Sequence, residues 1–134
     1  MSADVDLVVA ANEAFYAAVE AGDLDALQAV WCDHPQTVCQ HPGAGPIHGT
    51  AAVMRSWALV MANTDYIQFF LTDVQVSVAG DTAAVTCTEN ILTGADRSAA
   101  FRGGRAQALN VFARTPTGWR MWIHQAAPVV SRDI

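Results

Sequence analysis

The chain contains no lysine. Its seven basic residues are all arginine and stand against thirteen acidic ones, for a net charge of −6. An acidic chain without a cationic cluster suits neither a phosphate backbone nor an anionic membrane surface, so neither nucleic acid nor membrane is expected as a partner. Charged residues are scarce at 15%, while hydrophobic residues reach 52%. That balance excludes a disordered chain, a coiled coil and a collagen-like repeat. No apolar run approaches the ~18 residues of a membrane span. Met1-Ser2-Ala3-Asp4 lacks the basic start and apolar run of a secretory signal. Cys32, Cys39 and Cys87 are an odd number without paired spacing, and read as reduced thiols of a cytoplasmic protein. Also missing are a glycine-rich phosphate loop, a nucleophile elbow and a Cys–His–acid pattern. His34, His41 and His48 repeat every seven residues beside Cys32 and Cys39. That spacing matches neither a cysteine ribbon nor a His-x-x-x-His helix, so no metal and no cofactor is expected.

What is present suits one domain over residues 1–134, long enough to bury a core of its own. Residues 1–54 hold seven acids and no arginine, and residues 55–134 hold six acids and all seven arginines. The acidic part reads as solvated helix surface, with a partner-facing patch as the alternative. Val5, Val8, Ala11, Phe15 and Val19 fall at helical spacing, and Gly22 fits the position that ends a helix. Asp23 fits an N-cap for a second helix carrying Leu24, Leu27 and Trp31. A short strand is expected over 36–41 and a Pro/Gly loop over 42–46. A third helix opens at Gly49-Thr50, with Thr50 as cap and Val53, Trp57 and Met61 on one face. Val74, Val76 and Val78 then alternate with polar residues, and Gly80-Asp81 makes a tight turn. Ala83, Val85, Cys87, Glu89 and Ile91 share one face of the next strand. A polar loop over 94–104 leads to two last strands, 105–115 and 119–126, joined by Thr115-Pro116-Thr117-Gly118.

The order α-α-β-α-β-β-β-β gives an α+β fold with an antiparallel sheet. Asn110-Val111-Phe112-Ala113 and Met121-Trp122-Ile123 are apolar on both parities. One sheet face is therefore expected to cover a pocket or the helices, and the other to meet a second subunit. Glu89 points where Val85, Cys87 and Ile91 point. If that face lines a pocket, desolvation raises its pKa and makes it a proton-transfer group; otherwise it pairs with an arginine or sits at the sheet rim. His124 shares the parity of Trp122 and Ala126, and Pro42 holds His41 extended. Two His and a Glu serve general acid–base chemistry, or the His are buried structural groups. Asn110 lies mid-strand among apolar residues and needs partners if buried. It would orient a His or Glu, or bind a substrate oxygen. Trp31, Trp57, Trp122, Phe69 and Phe112 form either core or an aromatic pocket for a small hydrophobic ligand. Arg97, Arg102 and Arg105 flank the last long loop as solvated charges or as a gate.

A set of local motifs carries a family resemblance over residues 5–130. They are Gly22-Asp23-Leu24-Asp25-Ala26-Leu27, Val38-Cys39-Gln40-His41-Pro42-Gly43, Ser56-Trp57, Val85-Thr86-Cys87-Thr88-Glu89-Asn90, Asn110-Val111-Phe112 and Gly118-Trp119-Arg120-Met121. Together with the element order they resemble the nuclear transport factor 2-like superfamily, in its SnoaL-like branch related to ketosteroid isomerases. The resemblance implies a cone-shaped bent sheet whose pocket is enclosed by the N-terminal helices, and a homodimer formed through the sheet. Relatives include isomerases, polyketide cyclases, dehydratases, epoxide hydrolases and binding domains without catalysis, so the fold does not choose a reaction. The chain departs from the pattern twice. It has no acid over 38–41, where ketosteroid isomerases carry a base, and it keeps only His124 where close relatives carry a run of His. The resemblance also implies that Tyr16 could donate to a carbonyl or enolate, against a plain packing role. Two readings follow. One is a cofactor-free isomerase, cyclase or dehydratase acting on a small hydrophobic carbonyl compound. Glu89, His124 and His41 would be its catalytic groups, with Asn110, Tyr16, Trp31, Trp57, Trp122 and Phe112 around the substrate. The other is a non-catalytic ligand-binding or dimerisation module.

Overall fold

The computed structural model describes residues 2–94 and 102–130, with Ser2 and Arg102 as backbone only. Helix α1 (Ser2–Ala21) turns Val8, Phe15, Tyr16 and Val19 into the core, and its buried stripe includes the polar Asn12. Gly22 adopts φ +63°, and the N–H groups of Gly22 and Asp23 return to the carbonyls of Val19 and Ala18. This left-handed cap needs glycine, because a Cβ disfavours that backbone. Asp23 caps α2 (Leu24–Val30) by accepting from the Ala26 N–H at 3.0 Å, as its position indicated.

Strand β1 (Val38–Gln40) pairs with β2 (Ile47–His48), a two-residue strand too short to leave a periodic signal. Helix α3 (Thr50–Ala62) follows, and here the expected cap changes role. Gly49 is the N-cap residue and offers no side chain. Thr50 is buried, and its hydroxyl donates to the Cys32 carbonyl at 2.6 Å while accepting from the His34 N–H at 2.9 Å. It ties the segment after α2 to the start of α3.

Four long strands complete the chain: β3 (Tyr66–Ala79), β4 (Thr82–Gly94), β5 (Arg102–Thr115) and β6 (Gly118–Pro128). They form one curved, unclosed sheet of order β2-β1-β6-β5-β4-β3. The sheet is antiparallel except that β1 runs parallel to β6. Helix α3 carries the chain from the β2 edge to the opposite edge, and the β3–β6 meander then returns alongside β1 in the same sense. A bulge between Thr72 and Gln75, with Asp73 at φ +54°, leaves Val74 exposed, while Val76 and Val78 are part-buried against the core.

The inner face of the sheet reads directly from its register. Ala83, Val85, Cys87 and Glu89 of β4 stand opposite Phe112, Asn110, Ala108 and Ala106 of β5. Phe112, Asn110 and Ala108 in turn stand opposite Met121, His124 and Ala126 of β6. All are buried. Helix α1 lies across this face, with Phe15 against His124 and Tyr16 against Glu89. At its edges, Glu20 accepts from the Phe69 N–H and Asp4 pairs with Arg114. Among the described residues no helix is long and apolar enough to cross a membrane.

Candidate active site

Between α1, α3 and the inner face of the sheet lies a cavity of about 190 Å³. Phe15, Trp57, Val60, Ile67, Phe69 and Ile91 supply its apolar walls. The polar groups on it are Tyr16, His41, Glu89 and His124. Parity in β4 thus brings Glu89 to the cavity, and Pro42 at its mouth follows His41.

The four groups belong to two hydrogen-bonded sets. The first is a buried line across the sheet. The Tyr16 hydroxyl donates to Glu89 Oε2 at 2.6 Å. Asn110 Nδ2 donates to Tyr16 Oη at 3.1 Å and to Asn12 Oδ1 at 2.8 Å. Asn110 Oδ1 lies 2.6 Å from His124 Nδ1, its direct cross-strand neighbour. With both amide protons of Asn110 committed, its oxygen accepts, and Nδ1 of His124 carries the proton. Nε2 of His124 has no partner among the described residues and is a bare acceptor. The second set holds His41. Ser56 donates to the Val53 carbonyl at 2.7 Å, so His41 Nε2, 3.0 Å from Ser56 Oγ, donates and leaves Nδ1 bare.

Burial sets the protonation of these groups. Desolvation raises the pKa of Glu89, opposed by the Tyr16 hydrogen bond. Desolvation drives His124 down to about 3, with the neighbouring His41 adding to the shift, and also lowers His41. Both histidines are therefore neutral near neutrality. Tyr16 is held protonated by burial and by the Glu89 charge, and burial pushes the Cys39 thiol up to about 12. The cavity thus holds one carboxyl with a raised pKa, Glu89, and two imidazoles that are neutral near neutrality.

The expected site residues fall in different places. Tyr16 is not free to donate to a ligand carbonyl, because its proton is spent on Glu89. Trp122 does not share a face with His124. A bulge between Val111 and Phe112 pairs them with Ile123 and Met121, so Trp122 slips out of register. Its ring lies tilted against His34, centroids 4.6 Å apart, beside a separate open cleft that includes Cys32 and Arg120. Trp31 and Phe112 are fully buried core groups rather than cavity walls. Asn110 reaches His124 and Tyr16 instead of the cavity itself. His34, His41 and His48 go to three different places, the cleft, the cavity and the exposed β2. Arg97 lies outside the described residues, and Arg105 is an exposed strand residue away from the cavity.

Two residues were missed. Ser56 fixes the His41 ring, and Asn12 holds Asn110. Asn12 sits four residues after Val8 and four before Tyr16, so a polar side chain on an apolar helical stripe was its signal.

A solved structure from Streptomyces avermitilis, provisionally named a dehydratase of the NTF2-like family, is 50% identical to this chain. It covers 97% of this chain and 99% of its own, with a TM-score of 0.90. A structure from Thiobacillus denitrificans, provisionally named a calcium/calmodulin-dependent protein kinase type II association domain, is 32% identical. It covers 90% and 94% of the two chains with a TM-score of 0.76. A nuclear transport factor 2-like superfamily protein from Salmonella enterica is only 14% identical, yet covers 99% and 96% with a TM-score of 0.89, a likeness of fold alone. No curated protein matches the chain. The SnoaL-like domain model matches residues 8–131, nearly the whole length, and with this sheet and these helices the chain belongs to the SnoaL-like domain family.

Proposed function

We propose that the protein is a cofactor-free acid–base enzyme that removes water from a compact hydrophobic hydroxy-carbonyl compound. The observation that carries this reading is a buried carboxyl, Glu89, on the wall of an apolar cavity that it shares with the bare Nε2 of His124. A carboxyl with a raised pKa is a stronger base when ionised, and a stronger base takes a carbon-bound proton more readily. His124 resists protonation, so its part is to accept the hydrogen bond of the substrate hydroxyl and hold it. Glu89 takes the acidic C–H proton beside the carbonyl. The same carboxyl then returns that proton to the leaving hydroxyl, the C–O bond breaks, and the products are water and a conjugated carbonyl. The site ends as it began. A cavity of about 190 Å³ is somewhat larger than the ~150 Å³ that holds one benzene ring, which favours one ring or a short chain over a polycyclic substrate. The provisional dehydratase name of the relative at 50% identity agrees with this reaction.

Within the family we place the chain beside the ketosteroid isomerase-related branch, on a Tyr and a carboxyl that share a short hydrogen bond at an apolar cavity. The same carboxyl would equally return its proton to another carbon, which is isomerisation. We place the protein in the cytoplasm, in line with three free, buried cysteines. We also propose a homodimer through the outer sheet face, where Phe70 is 53% exposed and Leu92, Leu109, Val111 and Ile123 are only half-covered. Equilibrium sedimentation showing only monomer would remove that proposal.

The test is a panel of monocyclic and short-chain β-hydroxy ketones, read by the absorbance of the conjugated product. Turnover is expected for compact members, with a loss of at least ~100-fold in Glu89→Gln. Undiminished turnover by that variant refutes the mechanism. The likeness to the Thiobacillus association domain favours a second reading, a non-catalytic binding or assembly module. Ligand binding without turnover across the panel would decide for it.

A further inference from the structure

We propose that the cavity also takes a small primary amine in its protonated form, one ring or a short chain bearing a single ammonium, with Glu89 as the anion that holds it. Glu89 is 2% exposed, and among the described residues its hydrogen-bond donor is the Tyr16 hydroxyl, at Oε2. Oε1 has no such partner. The buried side-chain atoms left without partners among the described residues are the indole N–H groups of Trp31, Trp57 and Trp119. Oε1 is therefore not sealed in protein, and it opens on the cavity that Glu89 lines.

No cation stands beside this carboxyl among the described residues. The chain has no lysine, and the described ion pairs join Arg114 to Asp4 and Asp81. The titratable groups around Glu89 are Tyr16 from α1, Cys87 from β4, Cys39 and His41 from β1 and the residue after it, and His124 from β6. Trp57 and Val60 of α3 and Ile67 and Phe69 of β3 bring no charge to the wall. Burial keeps the tyrosine and both thiols protonated and both imidazoles neutral near neutrality. A buried carboxylate in such surroundings carries a desolvation cost that a cation brought alongside would offset.

The rest of the wall fits the same ligand. Its apolar side chains enclose about 190 Å³, room for one ring. No side chain on it presents a free donor. The Tyr16 proton is on Glu89, His41 Nε2 donates to Ser56, and the Trp57 N–H is sealed, toward the Cys39 thiol. In the observed line of hydrogen bonds His124 Nε2 is an acceptor. An ammonium brings three N–H donors to these acceptors, whereas a ligand carboxylate or phosphate would meet a like charge and no donor.

This inference rests on the cavity and not on the proposed dehydration. The experiment is calorimetric titration of the full chain with benzylamine and with benzyl alcohol, which share a ring and differ in the charged group. At neutral pH benzylamine is expected to bind at least ~10-fold more tightly, because hydrogen bonds to charged groups are the stronger ones. Glu89→Gln is expected to erase that preference. Wild type that binds benzylamine no more tightly than benzyl alcohol overturns the proposal, and so does a Glu89→Gln chain that keeps the preference. A second measurement needs no variant. The ¹³C resonance of the Glu89 carboxyl, followed through pH in labelled protein, is expected to titrate at lower pH with saturating benzylamine than without, because a bound cation favours the ionised form. An unmoved midpoint overturns the proposal as well. A failed dehydration panel leaves amine binding standing, and turnover without amine binding removes this inference alone.

Discussion

Replacing Glu89 by Gln is expected to stabilise the protein while removing the proposed proton-transfer group. Glu89 is 2% exposed, and its hydrogen-bond partner is the Tyr16 hydroxyl. The ion pairs among the described residues lie at Arg114, so no cation compensates the buried carboxylate. Desolvating a carboxylate costs several kcal/mol. A hydrogen bond to a charged acceptor returns about 1.5–3 kcal/mol, which leaves a shortfall of about 1–2 kcal/mol. Gln keeps an acceptor for Tyr16 and has no charge to desolvate. Because burial raises the folded pKa above the ordinary 4.5, the folded state holds a proton that the unfolded chain has lost. This contribution to stability is complete below 4.5 and is lost as pH rises through the folded pKa. The variant should therefore match wild type in acid and exceed it at higher pH. The gain expected there is about 1–2 kcal/mol, or roughly 3–8 °C in Tm. Thermal unfolding followed by circular dichroism across a pH series measures it. A variant that tracks the wild-type pH profile, or melts lower at alkaline pH, would show that Glu89 is not held with a raised pKa.

His124 gives the opposite slope. Its folded pKa of about 3 lies below the ordinary 6.5, so wild-type stability is expected to fall with acid from about 6.5 toward 3, by up to about 1.4 kcal/mol per pH unit, and His124→Gln to flatten that limb in acid unfolding curves. Thr50→Val strands the Cys32 carbonyl and the His34 N–H in a buried site, with an expected loss of about 2–3 kcal/mol in urea unfolding; a loss under half of that would mean water replaces the hydroxyl. Gly49→Ala places a Cβ 3.3 Å from the Pro35 carbonyl at φ +88°, and a loss of about 1–3 kcal/mol is expected, with no change if the loop over 35–49 yields freely.

Much of the site was legible in periodicity, and the failures have local causes. Glu89 was placed well because β4 runs unbroken from Ala83 to Glu89, so a period of two carries one face to the cavity. Trp122 was misplaced because one bulge in the β5–β6 ladder reverses parity between Met121 and His124, and no residue type announces it. The caps divided in the same way. Asp23 behaved as a cap because its neighbours leave it in solvent. Thr50 did not, because its hydroxyl found two buried backbone groups from a segment sixteen or more residues away. The parallel β1–β6 pair and the two-residue β2 depend on where α3 sets down the chain, which local pattern does not record.

Periodicity names the face on which a side chain lies, but the chemistry of this cavity depends on which atoms of those side chains carry hydrogen. Nothing in the identities of Glu89, His124 and Asn110 states that the imidazole meets the cavity as an acceptor. That follows from the observed line of hydrogen bonds. Tyr16 gives its proton to Glu89, Asn110 gives one proton to Tyr16 and the other to Asn12, and His124 must then donate from Nδ1. Replacing Asn110 leaves the residue list of the cavity unchanged and removes the acceptor that holds the proton on His124 Nδ1. Under the proposed dehydration, the absence of an acid over 38–41 leaves the site with a base, because a carboxyl stands on β4 at the cavity, hydrogen-bonded to Tyr16.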